Sequence, residues 1–220
     1  MQAVTTQAEQ RVVLQNVSWE TYERLLKDLE DSSTPRLTFD RGLLEIMSPL
    51  NEHEECNRNL ALLVELFAEE FDVDIRNLGS TTFKREDLGR GFEADSCFYV
   101  QNEGRLRKKQ RIDPAVDPPP DLVIEIDLQR DSINKLPIFM KLGVPEIWRY
   151  RRGKLSIFTL KNGAYKEQEA SAAFPLLSAA DLTRLLESST RLKRTAWLRQ
   201  LRTHFRKLKS GQSRLSPKVE

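Results

Sequence analysis

Apolar residues recur at helical spacing in two stretches of the first third of the chain. Ser18 is a typical N-cap residue, and the apolar spacing after it predicts a helix over 19–29. A longer helix is predicted to begin at Ser48-Pro49, and its inner stripe consists of Leu60, Leu63, Val64, Phe67 and Phe71. That stripe predicts packing against a hydrophobic core. Residues 1–16 show no comparable pattern, and we expect a flexible N-terminus there.

Shorter apolar runs predict strands through most of the remaining chain. Residues 37–47 predict a hairpin, and Asn162-Gly163 is a strong signal for a second hairpin turn. Further strands are expected at 74–77, 80–84, 95–101, 122–128, 146–151, 155–161 and 164–169, and short helices at 137–142 and 178–186. This order of elements predicts a mixed α/β fold in which helices flank a central mixed β-sheet.

Length and composition narrow the class of protein. The chain has 220 residues, which fits one domain at 17–190 with a C-terminal tail at 191–220. Two cysteines and two histidines cannot supply a disulfide framework or a four-cysteine zinc site. There is no long apolar run and no signal-peptide pattern, so we expect a cytoplasmic protein that does not associate with a membrane. Phosphate-binding glycine loops and a nucleophile elbow are absent, which argues against a nucleotide cofactor.

The net charge of +2 hides an asymmetry between the tail and the rest of the chain. Residues 191–220 contain ten basic residues and one acid, a net charge of +9, which leaves −7 for residues 1–190. A basic tail on an acidic body is typical of nucleic-acid contact, and a solvated terminal helix is the alternative. The candidate DNA-binding residues are Arg191, Lys193, Arg194, Arg199, Arg202, Arg206, Lys207 and Lys209.

The tail also carries an apolar stripe near helical spacing. Its members are Leu192, Trp197, Leu201, Phe205 and Leu208. A stripe of this kind docks either on the body of its own chain or on a second subunit, so a homodimer is one expectation.

Candidate chemistry lies on the strand expected at 122–128. Its even positions are all apolar, whereas its odd positions include Glu125 and Asp127, preceded by Asp121. Side chains of like charge on one strand face repel each other unless a cation lies between them. Asp95 begins another strand, and it converges with Glu125 if the two strands are neighbours.

Two carboxylates, a backbone carbonyl and water molecules make a typical Mg²⁺ site. Lys135 follows Glu125 by ten residues and could stabilise negative charge that develops there. The alternative is a solvated polar face with an ordinary acid–lysine pair at the surface. His53 lies in the first turn of the long helix, where a neutral imidazole could position a phosphate or a water. An ordinary helix-start residue is the alternative for His53.

Four short motifs resemble those of a known family. They are Gly42-Leu-Leu-Glu-Ile-Met-Ser-Pro49 with His53, Gly91-Phe-Glu-Ala-Asp-Ser-Cys-Phe-Tyr-Val100, Pro120-Asp-Leu-Val-Ile-Glu-Ile126, and Lys135 followed by Gly143-Val-Pro-Glu-Ile-Trp148. Their order and spacing resemble the Uma-type restriction endonuclease family, abundant in cyanobacteria, of the PD-(D/E)XK nuclease superfamily. The resemblance covers about residues 17–187.

The resemblance implies a restriction-endonuclease-like core and a metal-dependent endonuclease that hydrolyses DNA. Asp95 then matches the first acid and Glu125 the second, and these two side chains with the Ile126 carbonyl would hold Mg²⁺ or Mn²⁺. Lys135 matches the family's lysine, whereas Asp127 stands where the superfamily has its lysine.

Four departures from the family pattern bear on this assignment. Ala94 replaces a proline before the first acid, Phe139 replaces a tyrosine, and the stretch after Glu125 is short. Pro137 predicts a helix start there, which places Lys135 on the preceding turn. The alternative function is therefore a catalytically decayed nuclease fold that binds nucleic acid or a protein partner.

Overall fold

The structure is a computed structural model that describes residues 10–29, 35–128 and 133–215. Its strands are β1 (Gln10–Leu14), β2 (Arg36–Asp40), β3 (Leu43–Ser48), β4 (Arg76–Gly79), β5 (Thr82–Arg85), β6 (Arg90–Glu93), β7 (Ser96–Tyr99), β8 (Leu122–Asp127), β9 (Glu146–Arg151), β10 (Lys154–Lys161) and β11 (Ala164–Gln168). Its helices are α1 (Trp19–Asp28), α2 (Asn51–Phe71), α3 (Glu103–Leu106), α4 (Leu136–Leu142), α5 (Ala179–Arg191) and α6 (Arg194–Leu215).

The strands form two sheets rather than the one central sheet that we expected. One sheet has the order β1-β3-β2-β6-β5 and is antiparallel. The other has the order β11-β10-β9-β8-β7-β4 and is mixed, because β8 and β9 run parallel while its other neighbours are antiparallel. The prediction of a mixed α/β fold is confirmed, with the strands divided between two sheets.

Alternation along β8 divides the core into two layers. Leu122, Ile124 and Ile126 face one side of the six-stranded sheet and pack with buried residues of α2, α5 and α6. Val123 faces the other side, where it packs with α4 and with residues of β5 and β6. Because side chains alternate along a strand, Glu125 and Asp127 share the second side with Val123. The helices therefore flank the sheet on both sides, as predicted.

Three elements lie where we expected none. β1 lies inside the segment expected to be flexible, and it pairs with β3. Residues 1–9 of that segment lie outside the described residues. β6 carries glycine at the Gly91 position, and a Cβ there would overlap the ring of Tyr22. Short runs such as these have too few apolar positions to show a period, so tertiary pairing decides their conformation. Helix α3 lies between the strands expected at 95–101 and 122–128, where we predicted no element.

Helix α6 is docked on the body of its own chain. Trp197, Leu201 and Phe205 of its apolar stripe are fully buried, and the Phe205 ring lies 5.4 Å from that of Phe67 on α2. Of the two expectations for this stripe, the structure shows docking on the body. These three side chains are therefore not available to a second subunit, whereas Leu192 of the stripe is exposed. Within the described residues, no helix is both long and apolar enough to cross a membrane.

Candidate active site

Strands β7 and β8 bring two of the predicted acids to one place. They pair antiparallel with Ser96 opposite Ile124, which sets the preceding residue, Asp95, beside Glu125. The Ile126 amide donates a hydrogen bond of 2.6 Å to Asp95 Oδ2, so the first acid is tied to the strand that carries the second. Asp95 and Glu125 are both buried.

His53 lies at the third position of α2 and faces the same two elements. Its Nε2 atom is 2.9 Å from the Ile126 carbonyl oxygen and 3.3 Å from Asp95 Oδ2. Burial lowers the pKa of His53 to about 3, and the nearby positive charge of Arg36 adds to this effect. The imidazole is therefore neutral at pH 7 and donates from Nε2 to the carbonyl. Because the side chain is fully buried, it orients the Ile126 carbonyl and Asp95 rather than contacting a phosphate directly.

Arg36 and Asn57 also hold Asp95, and the sequence did not reveal either residue. Arg36 makes ion pairs with Asp95 and with Glu54 of α2. Asn57 donates to the Asp95 carbonyl at 2.8 Å and accepts from Ser96 Oγ at 2.8 Å. Neither residue belongs to a local pattern, since they reach Asp95 from β2 and α2 and only the tertiary fold brings them there.

Lys135 reaches the second acid from the turn before α4. Its Nζ atom lies 2.7 Å from Glu125 Oε2. The prediction that Pro137 places Lys135 just before the helix is confirmed, because α4 begins at Leu136. The other carboxylate oxygen, Glu125 Oε1, is buried and has no hydrogen-bond partner among the described residues.

The remaining acids of the β8 segment also have partners. The acid–lysine pair of the alternative is present as Glu125–Lys135, but its side chains are largely buried rather than solvated. Asp127 pairs with Arg151 of β9 at 3.3 Å. Asp121 accepts hydrogen bonds from the Val100 and Asn102 amides at 2.8 and 2.9 Å, which makes it a structural residue. Burying a carboxylate on a strand face costs free energy unless the fold supplies hydrogen-bond donors or cations around it, as it does for Asp121 and Asp127.

A cleft of about 340 Å³ lies against β8, β9 and the turn before α4. Glu125, Asp127 and Lys135 line it together with Arg149 and Arg151. In the parallel register Glu125 lies beside Arg149 and Asp127 beside Arg151, so an acidic and a basic row run side by side. The sequence signal for the basic row is the alternation of Arg149 and Arg151 with two aromatic residues in β9.

The donor set fits a hard divalent cation. Asp95, Glu125 and the Ile126 carbonyl supply oxygen atoms, the ligands that Mg²⁺ and Mn²⁺ prefer, and Glu125 Oε1 has no other partner in the described part of the chain. Across residues 10–29, 35–128 and 133–215, no three His, Cys, Asp or Glu side chains are grouped as a metal site. Mg²⁺ commonly takes one or two carboxylates and completes its shell with water and substrate phosphates.

Most of the chain matches one family model. The model is described as "Uma2: Putative restriction endonuclease", and it matches residues 19–192. The chain belongs to the Uma2 family. A solved structure, a "putative nuclease belonging to DUF820" from Anabaena variabilis, is similar in fold, with a TM-score of 0.50 and 14% identity over 68% of this chain and 90% of that one. No curated protein sequence is significantly similar to the chain.

Glu146 is, after Asp121, a second residue in the motifs that carry the Uma2 resemblance with a structural role. Glu146 is buried, and its carboxylate accepts hydrogen bonds from Trp148 Nε1 at 2.6 Å and from Ser171 Oγ and the Ala172 amide, both at 2.5 Å. These bonds fasten β9 to the segment before α5. These bonds explain why this motif has a carboxylate two residues before its tryptophan.

The Uma2 match ends at residue 192, just before α6, and the structure separates the basic tail from the cleft. Helix α6 packs on α2, on the side of the six-stranded sheet opposite Glu125. Arg202 pairs with Glu69 and Arg206 with Glu70, at 3.2 and 3.4 Å. The other candidate cations with partners are Arg191 with Glu187, Arg194 with Asn59, and Lys209 with the Glu70 carbonyl. Lys193, Arg199 and Lys207 are exposed and have no acidic partner among the described residues.

Proposed function

We propose that this chain is a metal-dependent endonuclease that hydrolyses DNA phosphodiester bonds in the cleft. The observation that carries the proposal is the convergence of Asp95, Glu125 and Lys135 around the end of β8. Lys135 Nζ is 2.7 Å from Glu125, and the Ile126 amide binds Asp95 at 2.6 Å. The family description and the printed title of the similar structure support the same reaction class.

In this proposal Asp95, Glu125 and the Ile126 carbonyl hold Mg²⁺ or Mn²⁺. A bound divalent ion supplies a lowered pKa for coordinated water and neutralises the phosphodiester charge. The chain's own residues do the remaining work. His53 fixes the direction of the Ile126 carbonyl through its 2.9 Å hydrogen bond. Lys135 provides an ammonium group at the position where negative charge develops on the phosphate, and Asp127 holds Arg151 at the edge of the cleft.

A cleavage assay with matched variants tests this function. Supercoiled and linear DNA are incubated with Mg²⁺, Mn²⁺ or EDTA, using wild type, Glu125→Gln, Lys135→Met and the control Glu167→Gln, an exposed residue of β11. We expect metal-dependent cleavage by wild type and the control, with a loss of about 100-fold or more in both site variants. Cleavage by Glu125→Gln at the wild-type rate would contradict the assignment of the site.

A second candidate is a nuclease fold that binds nucleic acid or a protein partner without cutting. Its specific support is that each candidate acid already has a cation from its own chain, namely Arg36 for Asp95, Lys135 for Glu125 and Arg151 for Asp127. DNA binding by wild type without metal-dependent cleavage would select this alternative.

A further inference from the structure

Arg149 is an arginine of the cleft that has no partner of opposite charge within residues 10–29, 35–128 and 133–215. Its guanidinium lies over the ring of Phe158, 4.9 Å from the ring centre. Among the described residues it makes no ion pair and no hydrogen bond, whereas its neighbours in the cleft, Arg151 and Lys135, each hold a carboxylate. Its N–H donors are therefore available to an anionic ligand in the cleft.

The position of Arg149 is set by the parallel pairing of β8 and β9. Its register partner is Glu125, and the two side chains lie on the same face of neighbouring strands. Adjacent strands are about 4.8 Å apart, so the backbones of Arg149 and Glu125 are neighbours and both side chains line the cleft with Lys135. The guanidinium itself lies over Phe158 of β10, the strand on the other side of β9. Glu125 Oε1 has no hydrogen-bond partner in the described residues, so this cleft is lined both by a residue with an unpaired acceptor and by a residue with unpaired donors.

We propose that Arg149 binds a phosphate group of the nucleic-acid substrate beside the Glu125–Lys135 pair. This inference rests on the proposed function. A guanidinium binds phosphate through two parallel hydrogen bonds, and the cation–π contact with Phe158 reduces the freedom of the Arg149 side chain before the ligand arrives. A row of carboxylates alone would repel the phosphodiester, and the adjacent arginine offsets that repulsion.

Binding measurements separate this contact from general charge. Fluorescence anisotropy with a labelled DNA duplex in Ca²⁺ buffer, over a series of salt concentrations, compares wild type, Arg149→Gln, Arg149→Lys and the control Lys166→Gln, an exposed cation of β11. We expect Arg149→Gln to bind about tenfold more weakly and to reduce the salt slope by about 1. Arg149→Lys keeps the slope but binds about threefold more weakly, because an ammonium does not bind in bidentate fashion. Lys166→Gln binds like wild type.

Three results would overturn the inference, and only one of them also overturns the proposed function. If wild type binds DNA and Arg149→Gln binds with the same affinity and salt slope, Arg149 is not the contact and the proposed nuclease stands. If wild type binds no DNA, the proposed function falls together with the inference. Circular dichroism checks folding, and if Arg149→Gln does not fold, Arg149→Lys decides the question, since wild-type affinity in that variant would overturn the inference.

Discussion

At the scale of single residues, burial decides the charge of His53, the histidine beside Asp95. His53 contacts the Ile126 carbonyl and Asp95 with no exposure to solvent, and its pKa is lowered to about 3. The folded protein therefore holds this imidazole neutral in a pH range where the unfolded chain, with a pKa near 6.5, takes up a proton.

The pH dependence of stability follows from that difference. Between pH 6.5 and about 3 the unfolded state binds one proton more at His53, so the free energy of unfolding falls as the pH is lowered. The loss is at most about 1.4 kcal/mol per pH unit. Urea unfolding of metal-free wild type and His53→Gln at pH 7 and pH 5 measures it. We expect a smaller decrease for the variant, and equal decreases would contradict a buried neutral His53.

Arg36 gives a second prediction at this scale. It is buried between Asp95 and Glu54, so Arg36→Gln leaves two carboxylates without their cation. We expect a loss of about 3–5 kcal/mol in the free energy of unfolding. Mn²⁺ should raise the melting temperature of this variant more than that of wild type, because the ion then meets Asp95 without competition. Equal Mn²⁺ shifts in the two proteins would contradict the placement of Asp95 in the metal site.

At the scale of elements, long periodic segments were predictable from the sequence and short paired segments were not. The stripe of α2 and the alternation of β8 are visible because many apolar positions repeat, and the hairpins of β2–β3 and β10–β11 have clear turn residues. β1 and β6 have four or five residues each and take their conformation from neighbouring strands. The division into two sheets depends on strand pairing between distant segments, which no local pattern records.

The same contrast holds for the candidate site. Asp95, Glu125 and Lys135 are residues of recognisable motifs, and the structure brings them together. Arg36, Asn57 and Arg149 enter from other elements through tertiary contacts, so only the fold relates them to the acids. The family lysine position was predictable, whereas the cation that neutralises Asp95 was not.

Helix α6 gives a prediction about stability. Trp197 is fully buried, and its Nε1 atom donates to the Leu185 carbonyl at 2.8 Å. Trp197→Ala removes a large buried ring and leaves a cavity, so we expect a loss of about 3–5 kcal/mol in the free energy of unfolding. Arg199→Ala, on the exposed face of the same helix, should change it by less than about 0.5 kcal/mol. Equal stability of the two variants in urea unfolding would show that α6 is not part of the core.

At the scale of the whole molecule, the cleft and the basic helix lie on opposite sides of the six-stranded sheet. The tail was predicted to contact DNA, yet several of its cations bind acids and carbonyls of α2 or α5. The charge asymmetry of the sequence is therefore partly neutralised within the fold. The six-stranded sheet lies between Glu125 and those cations of the tail that have no acidic partner in the described part of the chain.

Removing those tail charges tests which side of the molecule meets DNA. The triple variant Lys193→Gln, Arg199→Gln and Lys207→Gln leaves the core of α6 unchanged, since all three side chains are exposed. We expect its DNA affinity to stay within about twofold of wild type, while Arg149→Gln loses about tenfold. A loss in the triple variant as large as in Arg149→Gln would assign the DNA contact to α6.

The proposed nuclease requires that Asp95, Glu125 and the Ile126 carbonyl together hold a divalent ion. Isothermal titration calorimetry of Mn²⁺ into metal-free protein measures this binding, with wild type, Glu125→Gln and the exposed control Glu167→Gln. The proposed site predicts that wild type and the control bind one Mn²⁺ with similar affinity and that Glu125→Gln binds at least about tenfold more weakly. Equal binding by wild type and Glu125→Gln, or no binding by wild type, would contradict it.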